Sequence, residues 1–314
     1  MVSIIIPTFN KADFIVATIH SVQIQTYTDF ECIIVDDCST DNSVSIIQGL
    51  IENDSRFRIV VNDSNRGGNY SRNRGTELAI GDYIIYLDAD DILATDCLRH
   101  RVQYLRENPE LDFAVFPLAT FKKDIAEPVH YWVPAKKNAL QRFLSHDLPW
   151  QTMQPIYRKS FLVNSGGFDL DFTRLQDVEF HTRILHYGCN FETVQGKPDC
   201  FFRIDDSRVV TSLLNHYEKW IAGIISYVNK FRNFKSEYIK YLNVTVLIGC
   251  SNLIAAYKLN DLNKKQVEEF VRPLLSLVKS GYPRFIIRCY CQINLLVPFH
   301  LPGIRMLTKS LLLL

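Results

Sequence analysis

Across the first third of the chain, four short apolar runs recur, and each gives way to polar turn residues and then to a segment with helical spacing. Residues 2–6, 30–35, 57–61 and 83–87 are rich in β-branched and aromatic side chains, the composition of buried strands. Asn10 can cap a helix carrying Phe14, Ile15, Thr18, Ile19 and Val22 on one face. Ser39, Thr40 and Asp41 offer caps for a second helix, and the loop Asn65-Arg66-Gly67-Gly68 precedes a third. A fourth runs from about Asp96 to Glu107, with Leu98, Val102 and Leu105 inward. Apolar strands alternating with helices require an α/β fold with a mainly parallel sheet sandwiched by helices. In such sheets, ligands bind beyond the carboxyl ends of the strands.

Polar groups collect at that end. The first strand is followed by Pro7-Thr8-Phe9-Asn10, the second by Asp36-Asp37-Cys38-Ser39, and the fourth by Asp88-Ala89-Asp90-Asp91. Three carboxylates within four residues repel one another unless a cation sits among them. Oxygen ligands of this kind suit Mg²⁺ or Mn²⁺ bridging protein to substrate phosphates. The same residues also suit an acidic turn that caps the next helix.

The rest of the chain bounds the class of protein. With 314 residues there is room for one large core or for a domain with an appendage. A net charge of +1 gives no field that argues for nucleic acid. The N-terminus has no basic region before its apolar run, so no signal peptide is expected. The eight cysteines include no CxxC pair, which points to free thiols in a reducing cytoplasm. The histidines share no ligand spacing, so zinc is not expected. No apolar stretch reaches about 18 uninterrupted residues, so no spanning helix is expected. From residue 112 to 208 the pattern mixes short strands (113–117, 155–158, 201–204) with short helices. Beyond 213 only helices are expected: 213–231, 236–258, 264–279 and a last apolar pair. The division is therefore 1–210 and an α-helical region 211–314.

The strings VSIIIPTFNKADFI, FECIIVDDCSTDNS, NRGGNYSRNRG, GDYIIYLDADDIL, GGFD and QDVEF, in that order, resemble the family 2 glycosyltransferases of GT-A (Rossmann-like) fold. The resemblance covers about residues 1–210. It implies that Pro7, Thr8 and Asn10 wrap a nucleoside, although Asn10 also reads as a helix cap. It implies that Asp37, beside Asp36, accepts a base N–H; a carboxylate suits uracil and so a UDP-sugar. A capping turn is the other reading of this acidic pair. The family usually has glycine where this chain has Cys38, and glycine would permit positive φ. Arg72 would face the nucleotide, Asp90 would hold the metal, and Asp88 would hold ribose or a metal-bound water, with Ala89 between them.

In the same comparison Asp177 is the general base of an inverting transfer, although the usual preceding acid is Gln176 here. Asp177 also suits simple stabilisation of a helix N-terminus. Gly167 and Asp169 fall in a loop on the acceptor side. Trp150 and Trp132 stand where a sugar could stack, or pack in the core; His181 and Arg183 lie near the base. The implied protein is a metal-dependent inverting glycosyltransferase that uses Mn²⁺ or Mg²⁺. Its partners would be a nucleotide-sugar donor and a glycan or lipid-linked acceptor of cell-surface polysaccharide synthesis.

A nucleotidyltransferase would carry a glycine-rich phosphate loop after the first strand, and a dehydrogenase a G-x-G-x-x-G there; neither is present. A non-catalytic binding subunit is the remaining rival, and Gln176 is its only hint. The tail from Phe285 onward is apolar with Arg288, Arg305 and Lys309 interspersed and Pro298 and Pro302 interrupting. Two readings stay open for it: helices packed on the catalytic domain, or an interfacial helix on the inner membrane face.

Overall fold

The computed structural model of the chain describes residues 1–204, 212–279, 281–296 and 303–313. Two compact units emerge, and neither is continuous in sequence. One comprises Met1–Lys137, Pro149–Asp171 and Arg183–Ser207; the other comprises Asn138–Leu148, Phe172–Thr182 and Arg208–Leu314. A single cut at residue 210 therefore misses two segments, 138–148 and 172–182, that cluster with the C-terminal helices.

The first unit is built on a seven-stranded sheet. Its strands are β1 (Val2–Thr8), β2 (Phe30–Asp36), β3 (Phe57–Val61), β4 (Tyr83–Tyr86), β6 (Phe113–Val115), β9 (Pro155–Arg158) and β10 (Phe191–Thr193). They lie in the order β10-β6-β9-β4-β1-β2-β3. β4, β1, β2 and β3 are mutually parallel, and β9 runs antiparallel to both β4 and β6. The parallel strands are the four apolar runs of the sequence. Ile4, Ile5, Ile6, Ile33, Ile34, Ile84 and Ile85 have no exposed surface, as strands covered on both faces require. The helices α1 (Ile15–Gln23), α2 (Ser43–Ile51), α3 (Gly68–Leu78) and α4 (Cys97–Glu107) follow the four strands. α3 lies close on β1: a Cβ at Gly75 would overlap the Ile5 side chain.

A smaller sheet pairs β5 (Ile92–Leu93), β11 (Cys200–Arg203), β7 (Leu118–Phe121) and β8 (His130–Trp132) in that order. Behind it Arg101, fully buried on α4, forms a two-pronged ion pair with Asp199 at 2.7 and 2.8 Å.

The second unit is helical: α5 (Ala139–Leu144), the first part of α7 (Gln176–Tyr187), α8 (Leu213–Phe231), α9 (Ile239–Lys258), α10 (Lys264–Leu277), α11 (Tyr282–Leu296) and α12 (Ile304–Leu313). The remaining helix, α6 (Lys159–Asn164), belongs to the first unit. With its preceding turn, α9 is long and apolar enough to cross a bilayer, but 67% of its apolar window is buried by the rest of the protein. α10 starts with a capping box between Asn263 and Gln266. Val297, Pro298, Pro302 and Leu314, part of the apolar tail, lie outside the described residues.

Candidate functional site

Parallel register brings the polar strand ends together. Thr8 pairs with Asp36, Asp36 with Val61, and Ile5 with Tyr86, so β1, β2 and β4 release their turns along one edge. Beyond β4 the chain keeps a two-residue alternation. Asp88 and Asp90 retain partly exposed carboxylates, with side-chain exposures of 40% and 24%. Ala89 turns inward, 2% exposed, and its carbonyl accepts from Thr18 Oγ1 at 3.0 Å. Ala89 is thus a core residue between two acids, and its side chain contributes nothing to a ligand site.

Each exposed acid meets a cation. Arg72, on the first turns of α3, donates from a terminal guanidinium nitrogen to Asp88 Oδ1 at 2.7 Å. Lys11, in the β1–α1 loop, donates to Asp90 Oδ2. Arg203 arrives from β11: its Nε donates to the Asp90 carbonyl at 2.9 Å and its backbone N–H to Asp91 Oδ1 at 2.8 Å. Asp91 is buried, and among the described residues its Oδ2 has no hydrogen-bond partner. Burial first, then the charges of Asp88 and Asp90, hold its carboxyl well above the usual range. Among the described residues no group of three His, Cys, Asp or Glu forms a ready metal cage. Two partly exposed carboxylates with a buried acid behind them suit the partial protein coordination that Mg²⁺ and Mn²⁺ take when phosphates complete the shell.

The second strand end has a different role. Asp36 is fully buried and spends both oxygens on the Ser39 N–H, at 2.9 and 3.2 Å. It closes a local turn ahead of α2, whose cap position is Asn42, and presents no surface to a ligand. Asp37, 3% exposed, accepts from Asn62 Nδ2 at 2.7 Å, Arg66 N at 2.9 Å and Gly67 N at 2.7 Å. Both oxygens serve the loop that leads into α3, so any base N–H would share an oxygen already in use. Thr8 is 2% exposed; its carbonyl accepts from Asp37 N, and it presents almost no side-chain surface. Pro7 pairs with Val35 in the ladder.

Asn10 does not cap α1, whose cap position is Phe14. It adopts φ 50° and its Oδ1 accepts from Thr40 N at 2.8 Å and Asp41 N at 3.3 Å, joining the first and second strand-end loops. Cys38 takes φ 64°, the left-handed conformation that glycine adopts freely.

α3 also carries the loop expected on the acceptor side. Asn73 makes a two-way clasp with the Phe168 backbone at 2.7 and 2.8 Å, and Asn69 Nδ2 donates to the Asp169 carbonyl at 2.7 Å. Gly167 has φ 65°, and a Cβ there would stand 2.6 Å from Asn73 Oδ1. The Phe168 ring lies 5.4 Å from the Arg72 guanidinium. Arg183 anchors the same loop by donating to the Ser165 and Gly167 carbonyls at 2.6 and 2.5 Å.

Trp150 is the clearest correction. It has no exposed surface and packs against Phe113 and Phe191 at 6.2 and 5.3 Å between ring centres. It cannot stack on a sugar. Trp132, on β8, is half-buried.

Asp177 lies in the other unit, in the first turn of α7, half-buried. That helix is tied down by its neighbours within the unit. Glu179, fully buried, pairs with Lys230 at 2.7 Å, and Thr182 bonds the Tyr227 hydroxyl at 2.7 Å. His181 is stacked on Phe143 at 5.2 Å, and burial pushes its pKa down to about 3, which keeps it neutral. Leu175 precedes the helix at φ 57°, a conformation that a branched side chain adopts only at a cost.

A family model described as Glycosyl transferase family 2 matches residues 3–163. The match includes every site residue named above in the first unit up to β9 and α6, and stops short of Asp169 and Asp177. An uncharacterised glycosyltransferase of Haemophilus influenzae is 26% identical over 292 residues, 88% of this chain and 96% of that protein. The GalNAc(5)-diNAcBac-PP-undecaprenol β-1,3-glucosyltransferase of Campylobacter jejuni is 35% identical over 106 residues, 33% of this chain and 34% of its own length. Among solved structures, S. aureus TarS in complex with UDP-GlcNAc superimposes with a TM-score of 0.66 at 16% identity, covering 99% of this chain and 91% of that one.

Proposed function

The chain belongs to glycosyl transferase family 2, and on that premise we propose that it moves a sugar from a UDP-sugar to a hydroxyl of a glycan or lipid-linked acceptor, with inversion. The observation that carries this reading is the pair of partly exposed carboxylates, Asp88 and Asp90, at the carboxyl end of β4 beside Arg72 and Lys11. A nucleoside diphosphate needs cationic partners at such a place, and the arginine fork suits it. The UDP-GlcNAc bound by TarS and the undecaprenol-linked glycan named for the Campylobacter enzyme support the choice of donor and acceptor.

Asp90 and Asp88 would hold a Mn²⁺ or Mg²⁺ ion together with the donor's phosphates. When bound, that ion neutralises the departing diphosphate. Arg72 orients the diphosphate and keeps Asp88 in place. The Asn10 and Asp37 networks set the shape of the nucleoside cleft. Asp177 takes the proton of the acceptor hydroxyl, whose oxygen attacks the anomeric carbon as the bond to the nucleoside diphosphate breaks on the opposite face. The positive end of α7 favours the ionised carboxylate that this step needs. Synthesis on a lipid carrier would place the protein at the cytoplasmic side of a membrane, and its eight free thiols fit a reducing compartment.

The test is a panel of nucleotide-sugars with Mn²⁺, reading thermal shift and slow release of nucleotide. A ligand for the folded state raises its stability by mass action. A metal-dependent shift with a UDP-sugar is the expected result; no response to any donor from a folded sample would favour a binding subunit.

A further inference from the structure

Charge is unevenly placed along this chain. Between residues 270 and 314 stand Arg272, Lys279, Arg284, Arg288, Arg305 and Lys309 with no Asp or Glu, although the whole chain has a net charge of only +1. Two helices carry most of this stretch, and each buries one face within its own unit. α11 turns Ile287, Tyr290, Cys291 and Asn294 inward, and the Tyr290 hydroxyl bonds Ser251 of α9 at 3.0 Å. α12 buries Thr308 and Leu312.

The opposite face of α11 is apolar where a solvated helix would be polar. Tyr282, Phe285, Ile293 and Leu296 recur at helical spacing and are 61%, 64%, 42% and 76% exposed. On α12, Met306 and Leu307 are exposed to a similar degree. On the flank of the α11 stripe, between α10 and α11, lies a cavity of about 350 Å³. Arg272, Arg284 and Arg288 line it, with Leu275 and Leu295 as apolar wall; Glu268 offsets one of the three charges. None of the three arginines forms an ion pair among the described residues.

A soluble anion would account for the arginines and leave the stripe in water. A bilayer surface with anionic headgroups satisfies both: phosphate for the arginines and acyl chains for the aromatic and aliphatic stripe. We propose that α11 lies in the interface of an anionic membrane, its Tyr282–Phe285–Ile293–Leu296 face entering the headgroup–acyl boundary and Arg272, Arg284 and Arg288 holding a phospholipid phosphate in the α10–α11 groove. This surface belongs to the second unit and shares no residue with the proposed donor site, and its test needs neither donor nor acceptor.

The experiment is sedimentation of the full chain with vesicles of phosphatidylcholine alone or mixed with phosphatidylglycerol. Binding should require phosphatidylglycerol and weaken as salt is raised. Each basic residue at the surface is worth about fivefold in partitioning, so R284Q/R288Q should lose roughly 25-fold. F285S/L296S should lose binding to the same vesicles through the apolar face. All four side chains are exposed, so melting temperature and donor hydrolysis should stay at wild-type values in both variants. Equal partitioning onto both vesicle types, no partitioning onto either, or unchanged binding by R284Q/R288Q would overturn the proposal. A concentration-dependent dimer that F285S/L296S abolishes, without vesicle binding, would assign the stripe to a second copy of the chain and overturn it as well. A wild-type chain that hydrolyses donor but binds neither vesicle would fail this proposal alone and leave the catalytic reading standing.

Discussion

Arg72 and Asp88 meet at 2.7 Å, the arginine from α3 and the acid from the turn after β4, with the guanidinium almost wholly buried. This contact joins the helix that clasps the Phe168 loop to the acidic end of the central sheet. A charge-assisted bond of this kind contributes about 1.5–3 kcal/mol. Arg72→Ala should therefore weaken UDP binding by roughly 10- to 100-fold, and Arg72→Lys should recover only part of it, because an ammonium cannot replace the planar fork. Titration of UDP in the presence of Mn²⁺ measures this; equal affinity in the alanine variant would remove Arg72 from the donor site.

Asp177 provides a cleaner separation of binding from chemistry. As general base it should account for about 10²–10⁴ in rate. Asp177→Asn should lower transfer to acceptor by that factor while leaving the donor dissociation constant unchanged. A variant with normal transfer would assign the residue to stabilising α7 alone.

Backbone strain at Cys38 predicts a gain of stability. A non-glycine residue in the left-handed region costs about 1–2 kcal/mol, partly offset by the entropy that glycine loses on folding. Cys38→Gly should raise unfolding stability by up to about 1 kcal/mol, read from urea denaturation, and β-branched Cys38→Val should lower it.

Close packing of α3 on β1 predicts the opposite sign at Gly75. An added methyl meets Ile5 in a core that has no room. Gly75→Ala should cost about 1–3 kcal/mol, despite alanine being the better helix former. In an Ile5→Ala background, which removes both γ carbons that the methyl meets, Gly75→Ala should cost far less, and that result would confirm that the cost is steric.

His181 predicts a pH dependence. Its folded pKa of about 3 lies below the ordinary value of 6.5, because burial disfavours the imidazolium. Between those values the unfolded chain binds a proton that the folded chain refuses, so stability falls as pH falls. One such group contributes a limiting slope of about 1.4 kcal/mol per pH unit. His181→Gln should flatten the acid limb of the stability curve by that slope. An unchanged limb would place the acid sensitivity elsewhere.

The parallel core was legible because each of its strands is apolar over its whole length, a pattern set by burial on both faces. The acids after β4 were legible because three carboxylates fall within four residues directly after an apolar strand. What misled were residues whose role depends on a distant partner. Trp150 reads equally as a stacking platform or a core ring until Phe113 and Phe191 are placed around it. Asp36 and Asp37 look alike in sequence, yet one closes a local turn and the other orders a loop near residue 66. Lys11 and Arg203 carry no signal in the sequence. Lys11 is a lone lysine in a loop, and Arg203 reaches Asp90 and Asp91 from more than 110 residues away through the small sheet. The short strands β8 and β10 carry too few residues to show any period. The grouping of 138–148 and 172–182 with the helical unit likewise arises from contacts, not composition.

The most direct test of the account is a cycle of UDP binding measured with Mn²⁺ and with a chelator, in wild-type protein and in Asp90→Ala. The account predicts tight binding only for the wild type with metal, with the three other combinations weak and equal. Metal-independent binding in the wild type, or undiminished metal-dependent binding in Asp90→Ala, would contradict it.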